Sequence, residues 1–167
     1  KAKGTLPANG AVIKTIVSTE MIRPMCEAYG VELMDVLTGF KFIGEKIKGF
    51  EETGSHSYIF GFEESYGCLA GTYARDKDAV VATLLICEMA AYYKKQGMTL
   101  YDGLMALYEK YGYYREGVKS LTMKGLDGVE KIQKIMASFR AETPADFAGV
   151  AVEWAKDYKT QVFKNLK

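Results

Sequence analysis

Gly61-Phe62-Glu63-Glu64-Ser65-Tyr66-Gly67 sets two carboxylates and a hydroxyl between glycines. It follows Ser57-Tyr58-Ile59-Phe60, an aromatic and β-branched run that suits a strand, so the loop is expected at a strand end. Extended chain turns successive side chains to opposite faces, which predicts Glu63 and Ser65 on one side and Glu64 on the other. A carboxylate can accept from neighbouring hydroxyls, a serine hydroxyl can add a further bond, and flanking glycines let a ligand approach the backbone. That is the chemistry of a grip on a sugar. Downstream, Arg75-Asp76-Lys77-Asp78 brings two cations, Arg75 and Lys77, able to meet a phosphate just ahead of a long apolar helix. The same residues also suit a solvated turn and a helix start whose aspartates complement the helix dipole. Residue types alone leave the two readings open.

The elements that must hold these residues follow from periodicity. Residues 11–17, AVIKTIV, read as a buried strand carrying Lys14. Ser18 or Thr19 is expected to cap a helix reaching Tyr29 with Gly30 as its stop, although Pro24 predicts an irregular first turn. Val31–Leu37 returns as a strand, completing a βαβ unit whose strands are parallel. The second strand then ends at Thr38-Gly39. In open α/β sheets ligands gather beyond the carboxyl ends of strands, so Thr38 and the Glu63 loop are expected to share one crevice, while a plain turn is the alternative for Thr38-Gly39.

Phe40–Ile47 reads as a short amphipathic helix and Lys48–His56 as a polar connection. His56, the only histidine, has no acidic partner at an obvious spacing. Asp78–Lys94 is apolar on almost every face and is expected to be a helix covered on both sides, ended by Gly97. Thr99, with Asp102 three residues on, predicts a capping box for a helix carried by Leu100, Leu104, Leu107 and Tyr111 and stopped by Gly112. The tyrosines at 92, 93, 101, 108, 111, 113 and 114 have helical spacing and few basic neighbours, so they read as core and interface rings rather than a nucleic-acid platform. Beyond Gly117 the texture changes. Val118–Met123 reads as a strand, Asp127–Arg140 as an amphipathic helix on Val129, Ile132, Ile135, Met136 and Phe139, 141–146 as a link, and Phe147–Tyr158 as short strand-like pieces.

Lysine and arginine total 22 against 21 aspartates and glutamates, with no basic concentration, which argues against nucleic-acid and anionic-membrane partners. Cys26, Cys68 and Cys87 show neither metal nor redox spacing and suit a reducing cytosol. No run reaches the roughly 18 apolar residues of a membrane helix, and the N-terminus lacks the order of a signal peptide. A soluble, cytoplasmic protein is expected. The start at Lys1, without an initiating methionine, is expected of a piece of a longer chain.

Gly61 to Asp78, GFEESYGCLAGTYARDKD, closely resembles the sugar-binding loop and following helix start of the α-D-phosphohexomutases, the phosphoglucomutase and phosphomannomutase family. Val12-Ile13-Lys14-Thr15-Ile16-Val17-Ser18-Thr19 and Leu37-Thr38-Gly39-Phe40-Lys41-Phe42-Ile43-Gly44 match upstream in family order and roughly family spacing. The resemblance implies an α/β fold: a βαβ-based mixed sheet with helices on both faces over 1–115, the third domain of the family, and a partial α+β domain over 116–167, the opening of the fourth.

It further implies that the intact enzyme interconverts hexose 1-phosphate and 6-phosphate through a phosphoserine and a bisphosphate intermediate, with Mg2+ and glucose 1,6-bisphosphate as cofactors. The serine, aspartate-rich metal and final phosphate loops of the family do not occur in these residues, so no catalytic or metal-binding residue is expected here. Thr38, in its turn with Gly39, and Glu63, Ser65 and Lys77 match substrate-contacting positions. Lys14 matches a basic position that approaches substrate in some members, whereas Arg75 is added on physical grounds alone. Glu-Glu-Ser resembles the phosphoglucomutase branch more than the phosphoglucosamine branch. Hexose phosphate and the remaining domains of the parent are the implied partners, with self-association of the isolated segment. The alternatives are a non-catalytic sugar-phosphate-binding or interaction module, or a phosphopentomutase or phosphoglucosamine variant.

Overall fold

Strand β1 (Gly10–Thr15) is buried along its whole length because it lies inside the sheet, parallel to β2 (Glu32–Val36) on one side and β3 (Ser57–Phe62) on the other. Antiparallel β4 (Cys68–Ala70) completes the order β2-β1-β3-β4, a mixed sheet. A computed structural model describes residues 4–117 and 122–167, and the chain divides into two units, 1–116 and 117–167.

Alternation along β1 sends its residues to two different surroundings. Ala11 and Ile13 join Val36, Leu69 and the helix α2 (Phe40–Thr53) in the apolar core. Lys14 faces the other way, beside Asp35 of β2, where α1 (Ile22–Tyr29) contributes Arg23. Helices therefore cover both faces. Phe40, Ile43, Ile47 and Phe50 of α2 are buried at helical spacing, each side chain worth about 1.5–3 kcal/mol by removal from water. Gly44, on the same stripe, lets the Arg75 carbonyl approach so closely that a Cβ there would lie 2.7 Å from it. The segment ahead of the next helix is thus seated on α2.

Several boundaries differ from the sequence expectation. Helix α2 runs on to Thr53 instead of ending at Ile47, since interior Gly49 costs only about 1 kcal/mol and Phe50 adds a further buried turn. Helix α1 starts at Ile22, with Met21 and not Ser18 or Thr19 at its N-cap. This places Pro24 in the first turn, where a missing N–H is harmless. Gly30 closes α1 in the left-handed conformation, as predicted. His56 does have an acidic partner: its Nε2 lies 2.8 Å from Glu32, brought alongside by sheet pairing that sequence spacing does not show.

Helix α3 (Ala79–Lys95) is capped by Asp78, which accepts from the N–H groups of Val80 and Val81. Contrary to the expectation of a helix covered on both sides, none of its residues is buried, and Val80 is 80% exposed. The expected capping box of α4 (Leu100–Tyr111) is present, with Thr99 and Asp102 bonded reciprocally. Tyr92, Tyr101 and Tyr113 are exposed, so they are not core rings within this chain.

The second unit holds α5 (Gly125–Ala141) and two hairpins, β5 (Asp146–Phe147) with β6 (Val150–Ala151) and β7 (Trp154–Asp157) with β8 (Val162–Asn165). The sequence reading had no counterpart for β8, and its strand at Val118–Met123 falls on 118–121, outside the described residues. Arg140 of α5 donates to Asp157 of β7 at 2.7 Å and holds that carboxyl down at about 2. Beside this pair Met136, Phe139, Trp154 and Val162 line an apolar groove of about 530 Å³. Among the described residues no helix is long and apolar enough to cross a membrane.

Candidate functional site

Parallel pairing brings the carboxyl ends of β2, β1 and β3 to one edge of the sheet in that order. The chain continuing from them supplies Thr15 to Thr19, Leu37 to Gly39, and Glu63 to Gly67. The connection from β1 turns toward β2, while β3 lies on the other side, so β1 and β3 flank the position where a ligand crevice forms in such sheets.

The acidic loop is the turn between β3 and β4, closed by the Glu63 N–H donating to the Gly67 carbonyl at 2.9 Å. Glu63 is buried, and its Oε1 accepts from Ser65 Oγ at 2.6 Å while Lys77 Nζ lies 3.2 Å away. Glu63 and Ser65 thus converge as expected, but within a turn rather than by strand alternation. Tyr66 at the tip takes a left-handed φ of 65° and is almost wholly exposed. A non-glycine residue held there stores strain at the loop apex.

Lys77 reaches the loop because Asp78 N–H donates to the Cys68 carbonyl, pinning the start of α3 to β4. Its ammonium also lies 3.3 Å from Asp76 and 5.8 Å from the centre of the Phe40 ring. Hydrogen bonding to Glu63 first, then to Asp76, raises the lysine above its ordinary range, so it is fully cationic at neutral pH. Phe40 opens α2 directly after Thr38-Gly39. Thr38 is exposed, and Gly39 stands at the N-cap with a φ of 119° and no side-chain cap.

Arg75 and Lys14 are placed differently. The Arg75 guanidinium is taken up by Glu51 and by the carbonyls of Thr72 and Ala74. Lys14 is 0% exposed, its ammonium 2.8 Å from Glu20 and 3.0 Å from Asp35 and donating to the carbonyls of Thr15 and Ser18. Arg23 binds Glu20 and Asp35 as well. Burial alone would push these two carboxyls up, but hydrogen bonds and charge from Lys14 and Arg23 outweigh it and hold both below the usual range. This network lies at the carboxyl end of β1, against the turn that follows it.

One contact has no counterpart in the sequence reading. Thr15 Oγ1 donates to Glu64 Oε2 at 2.7 Å and lies 2.7 Å from Ser18 Oγ. Only the order β2-β1-β3 puts the end of β1 beside the acidic loop, and spacing along the chain carries no sign of it. Among the described residues no group of three or more His, Cys, Asp or Glu is placed to hold a metal ion.

Residues 1–111 match the family model described as phosphoglucomutase/phosphomannomutase, alpha/beta/alpha domain III. A phosphoglucomutase of Staphylococcus aureus strain RF122 / ET3-1 is 40% identical over 149 residues, which is 89% of this chain and 27% of that protein. The phosphoglucomutase of strain MSSA476 is 40% identical over 155 residues, covering 93% of this chain and 28% of its own. The chain thus spans about a quarter of the length of the curated relatives it matches. A crystal structure described as a putative phosphomannomutase of Thermus thermophilus superimposes with a TM-score of 0.55 at 23% identity, over 74% of this chain and 27% of the other, a likeness of fold.

Proposed function

The chain belongs to the phosphoglucomutase/phosphomannomutase family, and we propose that residues 1–115 are the sugar-binding third domain of such an enzyme, with 116–167 opening its fourth. In this reading the parent shifts a phosphate between the 1- and 6-positions of a hexose through a phosphoserine and a bisphosphate. The observation that carries it is the convergence of Glu63, Ser65 and Lys77 at the carboxyl edge of the sheet, with Phe40 linking them to the Thr38-Gly39 turn.

The roles follow from the contacts. Among the described residues both partners of the Glu63 carboxylate, Ser65 and Lys77, meet Oε1, so Oε2 is the oxygen left to accept from sugar hydroxyls. Ser65 and exposed Thr38 add hydroxyls, and half-exposed Lys77 can exchange its Glu63 contact for a phosphate oxygen as ligand enters. These groups would grip hydroxyls lying between the two phosphate ends, so one set of bonds can be remade after the sugar turns over. Positioning of this kind lowers the barrier without forming a covalent bond. Transfer itself, and the Mg2+ and glucose 1,6-bisphosphate it requires, are assigned to the rest of the parent. Among the described residues no group of three or more His, Cys, Asp or Glu is placed to hold that metal.

An amide-resolved NMR titration of this chain with glucose 1,6-bisphosphate tests the reading. Saturable shifts at Thr38, Glu63 to Tyr66 and Lys77, even at about millimolar affinity, are expected. Shifts scattered elsewhere, together with unchanged turnover in a Glu63→Ala variant of the full-length enzyme, would overturn it.

A further inference from the structure

We infer that Glu64 is a positioning residue, a latch whose bond to Thr15 fixes the acidic loop so that Glu63 and Ser65 stand ready for the sugar. The inference rests on the sugar-binding reading above and adds a residue that the reading leaves idle. Glu64 follows Glu63 directly, yet the two carboxylates do different work. Glu63 turns inward to Ser65 and Lys77, whereas Glu64 reaches across to the end of β1 and accepts from Thr15 Oγ1 at 2.7 Å.

Thr15 is a rigid anchor. It is fully buried, its hydroxyl lies 2.7 Å from Ser18 Oγ, and Lys14 Nζ binds its carbonyl and that of Ser18. The Thr15–Ser18 turn is also closed by the Ser18 N–H donating to the Thr15 carbonyl at 3.0 Å. The anchor therefore belongs to the same ion network that joins Asp35, Glu20 and Arg23. The loop on the other side needs such an anchor: Glu64, Ser65 and Tyr66 are exposed, Tyr66 is held at positive φ, and the turn is closed by the Glu63–Gly67 backbone bond. A bond from the loop to a buried hydroxyl limits how far Glu63 and Ser65 can drift from their shared geometry. Misplacement by about 1 Å is enough to cost catalysis heavily.

Steady-state kinetics of glucose 1-phosphate conversion by the full-length enzyme test this with Glu64→Leu, Thr15→Val, the double variant, Glu64→Gln and Glu63→Ala. Each of Glu64→Leu and Thr15→Val is expected to lower kcat/KM by roughly tenfold or more, and the double variant by about the same factor as the worse single, because one bond is lost in all three. Glu64→Gln keeps an oxygen that accepts from Thr15 and is expected to return to within about threefold of the parent enzyme, a rescue that a general loss of stability would not give. In the chain itself, Glu64→Leu should speed hydrogen exchange of the Glu63 amide, which is bonded to the Gly67 carbonyl, and leave β1 protected. Activity of Glu64→Leu within about threefold of the parent, multiplicative losses in the double variant, or unchanged exchange of the Glu63 amide would overturn the latch. Failure of the sugar-binding reading looks different: Glu63→Ala keeps its activity while the Glu64→Leu loop still loses protection.

Discussion

Gly67 and Glu63 close the acidic loop on each other: the Glu63 N–H donates to the Gly67 carbonyl, and a Cβ on Gly67 would stand 2.9 Å from Glu63 Oε1 and 2.4 Å from Lys77 Cδ. The absence of a side chain at position 67 is therefore what lets the lysine stem pass to the carboxylate. A Gly67→Ala variant must push Lys77 aside, because the clash falls midway along its stem and not at the free end. We expect kcat/KM of the full-length enzyme to fall roughly 10- to 100-fold, with stability changed by less than about 1 kcal/mol. Paired kinetic and urea-unfolding measurements check this, and a loss of stability without a loss of turnover would contradict it.

In the proposed sugar-binding role Glu63 carries the larger share. Charge-assisted hydrogen bonds run to about 1.5–3 kcal/mol each, so losing two of them by Glu63→Ala should lower kcat/KM by roughly 10² to 10⁴. A loss below about fivefold would remove Glu63 from substrate binding. Comparison with Glu63→Gln separates charge from hydrogen-bond count, since the amide keeps one acceptor while its N–H2 group opposes Lys77.

Local sequence was enough to read β1 from its apolar run, the stop at Gly30, the Thr99–Asp102 capping box of α4 and the glycine-flanked acidic loop, because each depends on a few adjacent residues. What depended on distant pairing was not legible. The Thr15–Glu64 bond spans 49 positions and the His56–Glu32 pair 24, and both exist only because of the strand order. Lys14 could be noticed in an apolar run, but its enclosure by Asp35, Glu20 and Arg23 required the register of β1 with β2. Helix α3 misled for another reason: its apolar composition was read correctly, whereas composition cannot say whether the covering partner lies within these residues.

That exposed helix yields a prediction of association. Val80, Leu84, Ile86 and Met89 leave apolar surface on α3, and Ile132 and Met136 do so on α5. Exposed apolar side chains of this kind favour contacts between copies when no other partner is present. Sedimentation equilibrium of this chain should show average mass rising with concentration, and Leu84→Glu with Ile86→Lys should suppress the rise. A clean monomer at high concentration would count against it.

The ion network around Lys14 is expected to govern the response to acid. Asp35 and Glu20 are held below the ordinary carboxyl range in the folded chain by Lys14 and Arg23, whose bonds outweigh the opposing effect of burial. The folded state therefore binds fewer protons than the unfolded state as pH approaches the ordinary carboxyl values near 4, and stability rises with pH through that window. The contribution is fully present above those values and is lost as pH falls through the depressed ones. We expect the urea midpoint to be level from neutral pH to about 5 and to drop steeply below about 4. Lys14→Met should flatten that drop, because Asp35 and Glu20 then lose one of the two cations that depress them. It should also lower stability at neutral pH by about 3 kcal/mol, the low end for breaking a buried pair, because Arg23 still reaches Asp35. Unfolding curves of both chains from pH 7 to pH 3 decide the matter: parallel acid slopes would mean that the network does not govern the transition.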